Sequence, residues 1–493
     1  MTSGRPAVTD QVWQRLSPRM LLVHPVHEVL RQIPLLIGSV VLGSATGNPM
    51  WTLFGLVLIV GYGVARWFTT SYRINSQEVQ LRTGVLQRKV LSVPRNRIRS
   101  VSTDARLLHR LLGLTVLRVS TGQEAKGAAA FALDAVQAEQ VPRLRAILLA
   151  DSLAPAVDEA FAPGRELARW QPSWLRYSPL SFTGLAMIMA AVGLAYQAGA
   201  GAALQNSRLA QSGVDAAERF GVVASVVVIG VAIVIASVVL SVLRSLVTYG
   251  NLVLRRDADA LHLEHGLLRV REQTFDMRRL RGGTLREPLL VRLFGGARLD
   301  AVMTGVNGAG EASLLLPPCP RATAETVLAE LIARPDAVTG ALRGHGAAAT
   351  RRRWTRALAL PAVLLVTMVA LYWWTPVWLW LVLAVLTVCC VLLAFDRSRA
   401  LGHRVDAQWL VSRAGSLDRR RDCIAAAGII GWTVRQTLLQ RRAGVATLIA
   451  ATAAGVKGYR VIDVPAELAW SIAGSASPWV AESDWTCAPQ SRA

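Results

Sequence analysis

A pattern of glycine, leucine and arginine occurs three times in this chain of 493 residues, and it constrains the fold more than any other feature. Counting from Gly84, leucines stand at +23, +24 and +33 (Leu107, Leu108, Leu117), with Arg110 at +26 and Gly113 at +29. From Gly266 the same offsets give Leu289, Leu290, Leu299, Arg292 and Gly295. From Gly415 they give Leu438, Leu439, Leu448, Arg441 and Gly444. Offset +14 is apolar in each copy (Ile98, Leu280, Ile429). Gapless repetition of this kind fixes the building unit before any single element is assigned.

Each copy follows stretches without charge. No Asp, Glu, Lys or Arg occurs between Arg31 and Arg66, between Arg176 and Arg208, between Arg219 and Arg244, or between Arg356 and Asp396. A spanning helix needs about 20 apolar residues, with roughly 17 as a practical minimum. The turn Gly43–Pro49 divides the first stretch into two short spans, for which a re-entrant hairpin is the alternative. Leu180 to Ala200 and Phe220 to Leu243 form the second pair. The third pair meets at Tyr372–Trp380, where Pro376 favours a turn and the aromatic residues favour a membrane interface. The reading is six spans in three hairpins, in line with 53% hydrophobic residues and a mean hydropathy of +0.38.

The net charge is +22, and 51 of the 54 basic residues are arginine. These crowd one side of the membrane, among them Arg15, Arg19, Arg66, Arg73, Arg169, Arg244, Arg255, Arg351, Arg352, Arg353, Arg356, Arg397 and Arg399. The opposite loops carry no net positive charge. The positive-inside rule therefore places both termini and all three soluble domains in the cytoplasm of a multi-pass protein of the cytoplasmic membrane.

The organisation expected is a cytoplasmic segment 1–31, hairpins at 32–68, 177–247 and 357–395, and soluble domains at 69–150, 248–333 and 396–474. Ala-, Pro- and Gly-rich linkers at 151–176 and 334–356 are expected to be loosely ordered, and the tail 475–493 disordered. In the first domain Tyr72–Ile74, Val79–Arg82, Leu86–Val93 and Ile98–Ser102 alternate with turn-formers and read as strands. Leu107–Leu112 reads as a helical turn stopped by Gly113, followed by strands Thr115–Ser120 and Ala129–Leu133 and a helix over Gln137–Ala150. The second domain closes with a helix at Ala322–Ile332, and the third near Pro465–Ile472.

This order of strands, Leu-Leu-x-Arg turn, further strands and closing helix resembles the bacterial pleckstrin-homology-like (PH-like) domain, in multi-pass membrane proteins long catalogued as a domain of unknown function. The residues carrying the likeness are Tyr72-Arg-Ile, Arg82-Thr-Gly-Val-Leu, Val93-Pro-Arg-Asn-Arg-Ile-Arg-Ser-Val and Leu107-Leu-His-Arg-Leu-Leu-Gly-Leu-Thr-Val-Leu-Arg-Val. His24-Pro-Val-His-Glu-Val-Leu-Arg-Gln-Ile-Pro is similar to the segment before the family's first helix. Repeat three departs most, with Ala425–Gly431 in place of the Pro-Arg-Asn-Arg-Ile-Arg-Ser pattern. The resemblance implies an α+β membrane protein: six transmembrane helices in three hairpins, each followed by a seven-stranded antiparallel β-barrel capped by a C-terminal helix. It implies no catalytic residue.

Residue chemistry narrows the function classes. The spans hold no acid, lysine or arginine, which argues against an ion-coupled transporter. His24-x-x-His27 and His262-x-x-His265 lack converging Cys or carboxylate partners, and the second pair lies on a strand where i and i+3 face opposite sides. No metal is expected. The five cysteines form no CxxC pair or Cys/His cluster. No GxxxxGK[ST] or GxSxG element exists, and Gly305–Gly310 reads as a hairpin turn. No enzyme and no cofactor are expected. Arg88, Lys89, Arg95, Arg97 and Arg99 in repeat one, and Arg269, Arg271, Arg278, Arg279 and Arg281 in repeat two, are the candidates for a basic surface facing anionic inner-leaflet lipid. Aromatic residues do not interleave with them, which disfavours nucleic acid. The function expected is a membrane scaffold whose domains bind protein partners or anionic head groups in envelope maintenance. The alternative is a component of an exporter or lipid-handling system.

Overall fold

A computed structural model of the chain describes residues 164–181, 183–197, 221–257, 259–305 and 313–482 continuously, most of 68–120 and 131–141, and isolated positions elsewhere. Two compact units divide it: residues 1–170 with 247–279, and residues 171–246 with 280–493.

The first unit holds β1 (Gln14–Arg15), β2 (Ser71–Ile74), β3 (Glu78–Thr83), β4 (Lys89–Pro94), β5 (Ser100–Ala105), α1 (Leu107–Leu111), β6 (Leu114–Ser120), β7 (Phe131–Gln137), β8 (Arg165–Arg169), β9 (Val253–Arg256), β10 (Ala260–His265) and β11 (Val270–Asp276). Repeat one packs as its alternation dictates. Tyr72, Val79, Leu81 and Val93 from its first three strands meet Val101, Leu117, Val119 and Leu133 from its last three, with Val141 and Leu148 covering the end.

The second unit holds α2 (Thr183–Gln197), most of α3 (Val222–Tyr249), β12 (Leu280–Pro288), α4 (Leu289–Leu293), β13 (Gly296–Met303), β14 (Leu314–Pro320), α5 (Arg321–Ile332), α6 (Pro335–Thr339), α7 (Gly346–Ala370) and α8 (Val377–Ala400). Repeat three follows as β15 (Gly402–Val405), β16 (Trp409–Ala414), β17 (Asp418–Ala425), β18 (Ile429–Arg435), α9 (Leu438–Arg442), β19 (Val445–Thr452), β20 (Gly458–Pro465), α10 (Ala469–Ala476) and α11 (Pro478–Ala481). Despite its divergent Ala425–Gly431 segment, repeat three forms the same six strands. Ile424, Ile429, Leu448, Val461 and Ile472 sit in one core.

The repeat signature has one conformational meaning in all three copies. Gly84, Gly266 and Gly415 have φ of 123°, 109° and 103°, and Gly113, Gly295 and Gly444 have φ of 67°, 72° and 66°. L-residues rarely adopt this region, so glycine serves twice per repeat: at the turn before strand three and at the stop of the short helix. The apolar +33 position is the centre of each core, since Leu117, Leu299 and Leu448 are all 0% exposed.

Strand pairing departs from an arrangement in which each domain completes its own sheet. The sheets run β1-β2-β3-β4, then β7-β6-β5-β11-β10-β9-β8, then β14-β13-β12-β17-β16-β15, then β18-β19-β20. The fourth strand of repeat one pairs antiparallel with the third strand of repeat two (β5 with β11), and that of repeat two with the third strand of repeat three (β12 with β17). Repeat boundaries therefore run through the middle of continuous sheets.

The predicted loose linkers carry structure. β8 lies in 151–176 and pairs with β9 as β1 pairs with β2, and Arg343 bridges His403 in the equivalent place. Each first strand offers free N–H and C=O groups on its outer edge, and the preceding segment satisfies them. In 334–356, α6 and the start of α7 are helical, and in the predicted disordered tail α10 continues to Ala476 before α11.

Three helices among the described residues are long and apolar enough to cross a membrane: Val223–Tyr249 within α3, then α7 and α8. α2 is described over 15 residues, Thr183–Gln197, and the rest of the predicted span to Ala200 lies outside the described residues. The first hairpin lies almost wholly outside the described residues. α7 begins eleven residues before the predicted span, so Arg351, Arg352, Arg353 and Arg356 ride on its first turns. Tyr372–Trp374 and Pro376 make the predicted turn into α8.

Candidate functional site

The short helix of the repeat signature presents apolar side chains to solvent. Leu111 of α1 is 81% exposed, Leu293 of α4 70% and Leu438 of α9 83%, with Phe294 and Leu439 also exposed. In repeats one and two this helix rests on the turn between the second and third strands of the next repeat. Arg110 donates to the Leu267 carbonyl at 3.2 Å, beside exposed Leu268, and the Leu289 N–H donates to the Leu417 carbonyl at 2.7 Å, beside exposed Leu417. Each junction thus carries a small apolar rim: Leu111 with Leu268, and Leu293 and Phe294 with Leu417.

The rims stand at the ends of the apolar helices. In the first unit the N–H of Leu267 donates to the Val247 carbonyl in the last turn of α3, and His265 Nδ1 lies 2.8 Å from the Thr248 carbonyl. In the second unit Asp396, near the end of α8, accepts from Arg292 of α4 at 2.8 Å and from Arg419 of β17 at 2.6 Å. Arg413 donates to the Ala400 carbonyl at 2.9 Å. Two carboxylate oxygens shared by two guanidinium groups fix both the rim and the third-repeat sheet to the helix end. Burial lowers the Arg419 pKa, with Arg292 nearby adding to the effect, while Asp396 and Glu287 oppose it.

A second lock ties α7 to repeat three. Asp463, fully buried with φ of 57°, has Arg352 Nε at 3.2 Å from one oxygen and Arg353 Nη2 at 2.8 Å from the other. Gln440 of α9 donates to the same carboxylate at 2.8 Å, and Thr437 with Gln440 forms a capping box at the start of α9. His345 Nδ1 lies 2.8 Å from the Ile462 carbonyl. None of Asp396, Asp463 or Gln440 was singled out by sequence, since an isolated acid in an Arg-rich chain carries no spacing signal.

The predicted basic residues are dispersed. Arg88 is exposed and Lys89 opens β4, also exposed, whereas Arg95, Arg97 and Arg99 lie outside the described residues. Arg269 is bonded to Asp104 of repeat one, and Arg118 Nη2 is 3.5 Å from the same carboxylate. Burial works to raise the Asp104 pKa, but the Arg269 hydrogen bond and charge hold it below the usual carboxylate range. Arg271 stands opposite Asp104 in the ladder. Arg278 and Arg279 lie 3.3 and 3.4 Å from Asp276. The Arg281 side chain packs beside Gly428. Much of the repeat-two patch therefore knits the strand junction together.

His24 and His27 also lie outside the described residues. His262 contacts Asp257 at 2.8 Å and Thr274 at 3.1 Å, whereas His265 takes the Thr248 carbonyl, so the pair has no common focus. Among the described residues no three His, Cys, Asp or Glu side chains converge as metal ligands. A cavity of about 300 Å³ opens between β15 and α10, lined by Arg343, His403, Arg404, Ser471 and Ser475 among others. Burial pushes His403 down to about 4, with His345 and Arg343 adding to the effect, so its imidazole is neutral at pH 7.

The bacterial PH domain profile matches three segments, residues 28–152, 213–335 and 356–475. The chain belongs to the bacterial PH domain family. The three matched segments contain the three copies of the Gly-Leu-Leu-Arg-Gly signature, so sequence periodicity and family profile count the same three repeats. Each segment also reaches back into the apolar stretch before its strands. No curated protein and no solved structure matches the chain.

Proposed function

We propose that this protein is an integral membrane scaffold whose three PH domains are held on the cytoplasmic face, with their apolar rims seated in the anionic inner leaflet and their remaining surfaces free for protein partners. The observation carrying this reading is the clamp at Asp396. It joins the end of α8 to the helix bearing Leu293 and Phe294, so the rim stands where a bilayer surface would be. Burying a leucine or phenylalanine contributes about 1.5–3 kcal/mol when complete, and basic side chains near anionic lipid add roughly 1 kcal/mol each. Arg397 and Arg399 add basic side chains to the last turn of α8, the helix end that Asp396 clamps. The test is an environment-sensitive fluorophore on Leu293→Cys in phosphatidylglycerol vesicles, compared with the same label on Val456→Cys, at the far end of the β19–β20 hairpin from α9. A blue shift at position 293 alone supports the reading; equal, water-like spectra at both overturn it.

A further inference from the structure

The strand junctions inside this chain leave two complementary ends. Third and fourth strands pair across repeats twice, and the register is the same both times. In offsets from the signature glycine, Phe275 (+9) faces Ser100 (+16), and Ile424 (+9) faces Gly282 (+16). The ladders extend from there in step, Arg271 (+5) facing Asp104 (+20) and Arg420 (+5) facing Arg286 (+20). The third strand of repeat one, β4, and the fourth strand of repeat three, β18, have no such neighbour among the described residues: each ends its sheet. An exposed strand edge is a row of unsatisfied backbone donors and acceptors and a template for strand addition.

We propose that β4 of one molecule pairs with β18 of a second copy, repeating the internal junction between chains. The shared register assigns the contacts: Val90 opposite Val434, Leu91 opposite Thr433, and Ser92 opposite Trp432. Side-chain parity agrees. At the internal junction Ile424, which packs in its own repeat's core, faces Gly282, and core-facing Leu285 faces Arg421. The intermolecular register likewise sets core-facing Leu91 against exposed Thr433 and exposed Val90 against core-facing Val434. Position +16 shows the missing neighbour directly. A Cβ on Gly282 would meet the Cys423 carbonyl of β17 at 1.8 Å, whereas one on Gly431 meets nothing nearer than Ala451 at 3.9 Å. Pro94 (+10) lies one position beyond the ladder, as Asp276 and Ala425 do at the internal junctions, so its lack of an N–H removes no bond. The occupant is a second copy because this chain itself displays both halves of the junction. Such head-to-tail pairing is heterologous, giving rings if it closes and longer chains if it does not. This goes beyond the scaffold reading and does not depend on lipid contact, since its readout is chain to chain.

Two differently tagged full-length chains, one with Val90→Cys and one with Val434→Cys, are co-expressed and oxidised in native membranes. The expected result is a disulfide-linked species carrying both tags, absent when Thr433→Cys replaces Val434→Cys, because the neighbouring residue points to the other face. Lys89 (+5) faces Arg435 (+20) in this register, so Lys89→Glu replaces a like-charge pair and is expected to raise association of the detergent-purified protein about two- to five-fold. Absence of the doubly tagged species, equal yields for positions 433 and 434, cross-linking only to a different polypeptide, or a monomer unchanged by Lys89→Glu each overturn self-pairing.

Discussion

Arg353, in the second turn of α7, lies 2.8 Å from the carboxylate of Asp463 in the last strand of repeat three. Both side chains are shielded from solvent, with Arg352 and Gln440 completing the group. A charge buried in this way is costly when one partner is removed, so the pair acts as a rivet between a membrane-length helix and the sheet that follows it. Asp463→Asn is expected to lower stability by about 3–5 kcal/mol, read as a fall in the thermal midpoint of the detergent-purified protein. Asparagine keeps the tolerance for positive φ, so the loss reports the charge; Asp463→Ala should fall further.

Two glycines of repeat two, Gly295 of the signature and Gly282 of β12, separate backbone strain from crowding. Gly295 has φ of 72° with nothing within 4 Å of a built Cβ, so Gly295→Ala should cost about 1–2 kcal/mol from conformation alone. Gly282, with φ of 139° and the Cys423 carbonyl at 1.8 Å from a built Cβ, should tolerate alanine far less well. Denaturant unfolding of the two variants side by side gives the order.

The His403 imidazole makes stability fall with acid. Its folded pKa is about 4 against an ordinary 6.5, chiefly because of burial. The unfolded chain takes up this proton as pH falls through 6.5 and the folded chain does not until about 4, so the contribution is full above 6.5 and lost between 6.5 and 4. The whole shift corresponds to roughly 3 kcal/mol. Burial raises Asp300 and Asp422, which work in the opposite sense, so the clean measurement is a difference. The gap between wild type and His403→Gln should narrow or invert as pH falls from 7 to 4.5.

Burial pushes the Cys319 and Cys423 thiols up to about 12. At pH 8 the folded protein should leave both unmodified by iodoacetamide, while denatured protein reacts at each. Peptide mass mapping reads this site by site.

Much of the architecture was legible in the residues, and for stated reasons. Gly84 marked a turn, Gly113 the stop of a helical turn, and alternation in Val79–Arg82 a strand. Pairing between repeats was not legible, because which edge a strand seeks depends on chain far away in sequence, as with Arg269 and Asp104, 165 residues apart. The same distance hid the meaning of the repeat-two arginines: their spacing suggested an open basic face, and their partners lie in another repeat or across a turn. β8 (Arg-Glu-Leu-Ala-Arg) has a weak strand composition and forms where β9 leaves an edge to cover. Asp396 and Asp463 became visible only once the helix ends and sheets were placed together.

Sidedness is the most direct test of the account. Single cysteines at Glu139, Asp259 and Val456 place one exposed probe in each PH domain, in a background lacking Cys389, Cys390 and Cys487. A membrane-impermeant maleimide is applied to right-side-out and inside-out vesicles. The account predicts labelling of all three positions in inside-out vesicles alone; a probe that reacts from the outer face in right-side-out vesicles contradicts it.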